Sequence, residues 1–484
     1  MIAANDTQVV RTRMAPSPTG EMHVGSLATL LKNYAFARKH GGSFILRIED
    51  TDKVREVPGA VQRIQSVIKA YGLDWDEGPG AGGPHSPYLQ SERLDTYQQA
   101  AENLVKADKA YYCFCSEERL TAVNDQLKAQ KLPPMYDRHC RNLTAEEVQA
   151  KLATGAEFVI RLKVPDDQLI TFTDWIRGEI TIPSNSVNDQ VLLKSDGFPT
   201  YHLAVVVDDH EMEITHIMRG EEWISSTPKH ILLYDAFNWP KPIYAHIPVF
   251  LNPDGQGKMS KRKGDVSAQS FLDRGYLPEA MLNFFMILGW TPQDQREILT
   301  LSEYIAEFDP RDLSAKSVVF DLQKLDWLNG VYIRQLPETE LWQRLTPFIP
   351  ADFPQEKSSQ VLSLVRERLT TLADFEGLTY FFYRPAKPSL ELLLKKVEPA
   401  LVTTQLKLLR DRLSELSAWT VPNIEAACRT LQEEQLWKKS QFFMLIRVAV
   451  TGEDKTPPLF ETMAVIDQTT IIERLNQSLL LIPT

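Results

Sequence analysis

The sequence predicts an α/β domain interrupted by an α+β insertion and followed by an all-α C-terminal region. Three observations carry this. A strand, a Pro/Ser/Gly loop, a helix and a second strand succeed one another within the first fifty or so residues. A cysteine-bearing stretch breaks the pattern between about residues 102 and 200, and beyond about 330 only helix-length amphipathic stretches remain. At 484 residues the chain exceeds what one hydrophobic core serves, so several domains are expected.

Hydrophobic residues at 43% and charged residues at 24% exclude a disordered chain. The formal charge of −11 gives no global attraction to nucleic acid, so any RNA contact must come from local basic patches. Four cysteines, three of them clustered, do not make a secreted disulfide scaffold. The start, Met1-Ile-Ala-Ala-Asn-Asp6, lacks the pattern of a signal peptide, and no apolar run reaches the roughly 18 residues needed to span a membrane. A cytoplasmic protein without membrane contact is expected.

In chain order, Val9–Met14 reads as a strand and His23–His40 as a helix with apolar spacing at Leu27, Leu30, Leu31, Tyr34 and Ala35. Gly41-Gly42 ends that helix and Ser43–Ile48 is the next strand. The first turn of such a unit is where an open α/β sheet binds nucleotide, with backbone N–H groups and His23 at the helix start. Phe250–Gly257 is turn-rich and leads into Lys258-Met-Ser-Lys-Arg262, a flexible cationic loop suited to neutralising phosphates. The insertion carries Tyr112-Cys-Phe-Cys115 and Tyr136-Asp-Arg-His-Cys140, three thiols toward the four N/S ligands that zinc prefers. Leu277–Leu288 is a strongly apolar helix, Phe308–Arg311 opens a connector, and Gln360–Phe375, Pro399–Leu416 and Asn423–Leu436 read as helices. Each residue also has a plainer reading: His23 as a surface cap, Arg13 as a solvated strand end, Arg47 and Glu49 on opposite sheet faces, the lysine loop as solvated surface.

Met14-Ala-Pro-Ser-Pro-Thr-Gly-Glu-Met-His-Val-Gly25 and Lys258–Arg262 together resemble the two signature motifs of class I aminoacyl-tRNA synthetases. Arg13–Gly20 followed by Phe44-Ile-Leu-Arg-Ile-Glu-Asp-Thr-Asp52 looks like the glutamyl/glutaminyl branch, in which the last histidine of the first signature is commonly replaced, as by Ser26 here. Asp196–Ala204, Val205–Asp209, His216–Trp223 and Ser226–Pro228 continue the likeness in order, and the helical C-terminal third is similar to the bacterial glutamyl type.

The resemblance implies a Rossmann-type catalytic domain in two halves, 1–101 and 201–265, around an insertion at 102–200 that holds the tRNA acceptor end. It implies a helical connector at 266–330 and a helical anticodon-binding domain at 331–484. It implies ATP-dependent attachment of L-glutamate to tRNA(Glu) through glutamyl-adenylate, with Mg2+ on the phosphates, activation requiring bound tRNA, and a monomer. Glutamate is expected at Arg13 and Tyr201 (side-chain carboxylate), Arg219 (α-carboxylate), Glu49, Ser17 and Ala15 (ammonium) and Trp223 (wall). Val205 stands where many relatives carry asparagine. ATP is expected at Thr19, Gly20, His23, Gly25, Glu222, Phe250, Leu251, Lys258, Ser260 and Lys261, with His23, Lys258 and Lys261 stabilising the reacting phosphate. Structural zinc is implied at Cys113, Cys115 and Cys140, with Tyr136 resembling a fourth ligand, His139 a chemical alternative and Asn142 where other relatives place a ligating histidine. Arg366 and Arg368, with Lys395-Lys396 and Lys438-Lys439, are candidates for tRNA contact. Charging of tRNA(Gln) as well, a glutaminyl enzyme, a small-metabolite nucleotidyltransferase and a catalytically silent RNA-binding paralogue are the competing readings.

Overall fold

A computed structural model describes residues 9–259, 266–395 and 397–483. The described residues form two compact units. The first contains the chain up to Leu272 together with Pro278–Leu322, and the second contains Asp273–Leu277 and the chain from Gln323 onward. The connector expected at 266–330 is therefore not a body of its own, because most of it packs into the first unit.

In the first unit Arg11–Met14 pairs in parallel with Ser43–Leu46. The helix Val24–Lys39 crosses between them with Val24, Leu27, Leu30 and Leu31 buried. The second strand stops two residues short of the expected Ile48, because the Arg47 N–H turns to the Met14 carbonyl and Ile48 to that of Tyr88. The second half repeats the pattern: helix Tyr201–Glu211, strand His216–Gly220, helix Thr227–Phe237, strand Ile243–Ile247. The two strands are parallel, with Arg219 in register with His246. Arg11 and Thr215 exchange hydrogen bonds and lay the two strand pairs edge to edge. The core between them is Val- and Leu-rich, as expected for strands covered on both faces.

The region drawn as the insertion divides. Ala110–Cys113, Val159–Leu162 and Val191–Leu193 form a separate antiparallel sheet, flanked by the helices Glu117–Ala129 and Ala145–Ala153. The hairpin Leu169–Asp174/Gly178–Pro183 instead adds to the catalytic sheet, where Asp174 pairs in parallel with Tyr244. The helix Leu94–Lys106 runs straight through the boundary expected at 101/102.

The second unit is helical, and among the described residues no strand follows Val319. Pro399–Ser414 and Val421–Glu434 match the expected amphipathic stretches to within two residues. The stretch expected as one helix over Gln360–Phe375 breaks: a helix ends at Val365, a 3-10 turn covers Arg366–Arg368, and Asp374 accepts from the Thr370 and Thr371 N–H groups to start the next helix. Among the described residues no helix is long and apolar enough to cross a membrane.

Candidate active site

A cleft of about 830 Å³ opens at the carboxyl ends of Arg11–Met14, His216–Gly220 and Ile243–Ile247, the edge at which open α/β sheets bind their ligands. The sequence folds both motif segments onto it. His23 caps the helix Val24–Lys39 by accepting the Gly25 N–H at Nδ1 (2.9 Å), which fixes the ring at the helix start. Glycine at 25 leaves room for this cap, since a Cβ there would meet that nitrogen at 3.1 Å and push the ring aside. Met259 N–H donates to the Phe250 carbonyl, and on the far side of the loop Val266 accepts from Val24 while Ala268 donates to Met22. The far end of the cationic loop is thus tied to the segment that carries His23, and the near end to Phe250, which lines the same cleft. Lys258 Nζ reaches Glu222 Oε1 at 3.0 Å. Ser260 and Lys261 lie outside the described residues.

Beneath the cleft is a buried charge cluster. Arg13 donates to both oxygens of Asp209 (3.1 and 3.3 Å), and Arg47 donates to Asp209 (2.7 Å) and to Glu49 (3.2 Å). Asp208 takes Arg93 (2.8 Å), Gln90 and Tyr97. Arg47 and Glu49 therefore share one side, correcting the reading of opposite sheet faces, since residues two apart on extended chain point the same way. Burial works against the Arg13 charge, but the Asp209 carboxylate outweighs it and raises the pKa. For Asp209 burial is likewise overcome, by Arg13 and Arg47, and its carboxyl is held below the usual range. Burial pushes Glu49 up despite Arg47 and Arg13.

Arg219 is arranged differently. It is 5% exposed, yet among the described residues its hydrogen-bond partners are all neutral groups: Tyr201 hydroxyl (3.2 Å), Thr227 Oγ1 (2.9 Å), His246 Nε2 (3.1 Å) and His230 Nδ1 (3.2 Å). The Tyr201 and Trp223 rings lie 4.3 Å apart beside it and wall the cleft. A desolvated guanidinium without a direct carboxylate partner is costly unless an anion arrives to meet it.

Arg13, Ala15, Ser17, His23, Gly25, Glu49, Tyr201, Arg219, Glu222, Trp223, Phe250 and Lys258 all line the cleft. Val205 does not: it is 1% exposed inside the hydrophobic core of its helix, a correction to its placement among the substrate contacts. Thr19, Gly20 and Leu251 also fall outside the lining. Sequence reasoning missed Asp208 and Asp209 as anchors of the arginines, and His230 and His246 as partners of Arg219. Two acids closing the apolar run Val205-Val-Val207 were the available signal, because acids on a buried helix must be paired.

In the insertion the Cys113, Cys115 and Cys140 sulfurs lie within 4.8 Å of one another, and the Tyr136 hydroxyl sits 3.3 Å from the Cys113 and Cys115 sulfurs. A tetrahedral zinc with bonds of about 2.3 Å has ligand–ligand edges of about 3.8 Å, so the four donors fit one ion with small adjustments. The hydrogen bond from Cys140 draws the Cys113 thiol down, favouring the thiolate that a metal takes.

In the second unit Arg366 donates to the backbone carbonyls of Arg334 and Leu336. Those carbonyls end a helix and need a donor, so one nitrogen of Arg366 has a structural use. Arg368, Lys438 and Lys439 are exposed, Lys395 lies 3.7 Å from Asp454, and Lys396 is outside the described residues.

Residues 9–327 match the family described as tRNA synthetases class I (E and Q), catalytic domain, and residues 340–479 match an anticodon binding domain. The glutamate tRNA ligase of Acidothermus cellulolyticus is 45% identical over 97% of this chain and 95% of its own length. That of Dehalococcoides mccartyi strain 195 is 43% identical over 98% of each. The crystal structure of a glutamate tRNA ligase from Elizabethkingia meningosepticum in complex with its amino acid superposes with a TM-score of 0.87 at 34% identity, covering 98% of this chain and all of that one. Two motifs folded onto one cleft at the sheet edge, a helical second unit and these likenesses agree: the chain belongs to the class I tRNA synthetases of the glutamate and glutamine branch.

Proposed function

We propose that the chain is a glutamate tRNA ligase, which joins L-glutamate to the terminal ribose of tRNA(Glu) through glutamyl-adenylate. The observation that carries this is the pairing, in one cleft, of the buried cation Arg219, which has no carboxylate partner among the described residues, with the His23 and Lys258 segments. Arg219 takes the substrate α-carboxylate, Arg13 and Tyr201 face the side-chain carboxylate, and Glu49 meets the ammonium. Discrimination against glutamine follows, because Asp209 takes only the Nε and Nη2 edge of Arg13 and an amide NH2 turned toward Nη1 would set donor against donor. ATP lies along the His23 helix start, with adenine on the Phe250 backbone and ribose at Glu222, so its arrival releases Lys258 from Glu222 toward the phosphates. A carboxylate oxygen then attacks the α-phosphorus and pyrophosphate leaves. The chain contributes positioning and positive charge rather than a covalent intermediate. Magnesium, when bound to the triphosphate, supplies further charge neutralisation.

Glutamate-dependent ATP–pyrophosphate exchange tests the reading without tRNA, with tRNA(Glu) and with tRNA(Gln). Exchange with tRNA(Glu) alone is expected. Exchange with both would make the enzyme non-discriminating, and none in any arm would sink the proposal. Tyr201→Phe removes only the hydroxyl on Arg219, so KM for glutamate should rise roughly tenfold with KM for ATP held; an unchanged KM would remove Tyr201 from the pocket.

We also assign Cys113, Cys115, Tyr136 and Cys140 to structural zinc, held by the chain to brace the small insertion sheet. Elemental analysis should find about one zinc per chain, and less than about a tenth of that in Cys140→Ser. Metal-free wild type would refute the assignment.

A further inference from the structure

We infer that His246, backed by Asp174, and His230, backed by His202, are positioning residues that hold Arg219 as an unneutralised cation aimed at the attacking carboxylate of the substrate. The inference rests on the ligase reading and names what orients its central cation.

Arginine can only donate hydrogen bonds, so its partners must accept. His246 Nε2, 3.1 Å from Arg219 Nε, is therefore the bare nitrogen, and the ring proton lies on Nδ1, 2.7 Å from Asp174 Oδ2. Asp174 is itself fixed, accepting at Oδ1 from the Ile176 and Arg177 N–H groups and at Oδ2 from the His246 N–H. The same logic on the other side makes His230 Nδ1 the acceptor from Arg219 Nη1 at 3.2 Å, leaving the His230 Nε2 proton to His202 Nδ1 at 3.1 Å. His246 and His230 thus hold two edges of the guanidinium through neutral rings, while Thr227 accepts from Nη2. Burial pushes both imidazoles below their ordinary range, which keeps them neutral acceptors.

Arg13 shows why an imidazole is interposed. Its guanidinium is bound directly by the Asp209 carboxylate along the Nε and Nη2 edge, which takes up most of the charge and leaves only Nη1 toward the cleft. A carboxylate placed directly on Arg219 would compete with the substrate for the same fork. Asp174 sits one ring away, so it sets the tautomer of His246 and leaves the arginine's charge available. The hairpin Leu169–Pro183 brings Asp174 to this contact, because Asp174 is the residue at which it pairs with Ile243–Ile247.

The test separates the two ends of the His246 ring. His246→Asn keeps a donor near Nδ1 for Asp174 and loses the acceptor for Arg219. His246→Gln keeps an acceptor near Nε2 and loses the Asp174 contact. In exchange assays with tRNA(Glu), His246→Asn should raise KM for glutamate roughly tenfold or more while KM for ATP stays within about twofold. His246→Gln should return KM for glutamate to within roughly threefold of wild type. Should the asparagine variant not fold, His230→Leu, which removes the acceptor on the opposite edge, is expected to raise the same constant. An unchanged KM for glutamate, or equal loss in the asparagine and glutamine variants, would overturn the inference. Wild-type protein silent in the same assay would instead overturn the ligase reading beneath it.

Discussion

Arg219→Met is expected to lower kcat/KM for glutamate activation by about 10²–10³-fold while costing the fold much less than Arg47→Met. The asymmetry follows from what each arginine leaves behind. Arg47 is fully buried and faces Asp209, Asp208 and Glu49. Its loss strands carboxylates in the core, at a cost of about 3–5 kcal/mol. Arg219 is held by a phenol, a threonine hydroxyl and two imidazoles, so its loss leaves neutral acceptors short of one donor, about 1–2 kcal/mol. Methionine fills the stem volume and removes the charge. Exchange kinetics and urea unfolding of the two variants side by side check the claim. Should Arg219→Met retain activity within about tenfold, or unfold as readily as Arg47→Met, the cation is structural and the substrate carboxylate binds elsewhere.

The parts of this arrangement that were legible in the sequence are those encoded locally. The loop from Met14 to Gly25 and the helix after it follow from Pro, Gly and a 3.6-residue apolar spacing, and Val24–Lys39 forms where that spacing put it. The cationic segment was legible as chemistry only through its companion motif at Met14–Gly25, because lysines after a turn-rich stretch are otherwise read as solvated surface. What pairs residues far apart was not legible. Asp209 lies 196 positions from Arg13, and His246 lies 72 from Asp174. Leu169–Asp174 alternates exposed and buried like any hairpin strand, and nothing in that alternation says which sheet it will join. The internal bond of Arg366 was hidden for a related reason: a basic residue near a helix end reads the same whether or not it serves the carbonyls of a neighbouring helix terminus.

The same buried histidines predict the second large effect, acid lability of the first unit. Burial lowers His202 to about 3, helped by Lys229 and Arg219, and lowers His216 to about 4, helped by His40. His230 and His246 shift in the same direction. In the unfolded chain a histidine titrates near 6.5. Above that value neither state carries the proton and stability is intact. As pH falls through about 6.5 the unfolded chain takes up protons that the folded chain refuses, so stability drops by about 1.4 kcal/mol per pH unit for each such histidine. The loss continues down to the folded values. From pH 6 to 4.5, His202 and His216 together remove at most about 4 kcal/mol, a large share of the roughly 5–15 kcal/mol a domain has to lose. Asp174 and Asp209, held below the usual carboxylate range, add to the loss at still lower pH. Glu49 and Asp208, pushed up by burial, oppose it only where they themselves gain protons. Urea midpoints at pH 7.5, 6 and 5 should therefore fall progressively, and His216→Phe, which keeps a ring against Phe36 and Trp175, should flatten the slope by about one proton. A midpoint that holds steady from pH 7.5 to 5 would mean that His202 and His216 take up protons in the folded state. His202 Nδ1 accepts the His230 proton, so a protonated His202 would break the chain of neutral rings that orients Arg219 on that side.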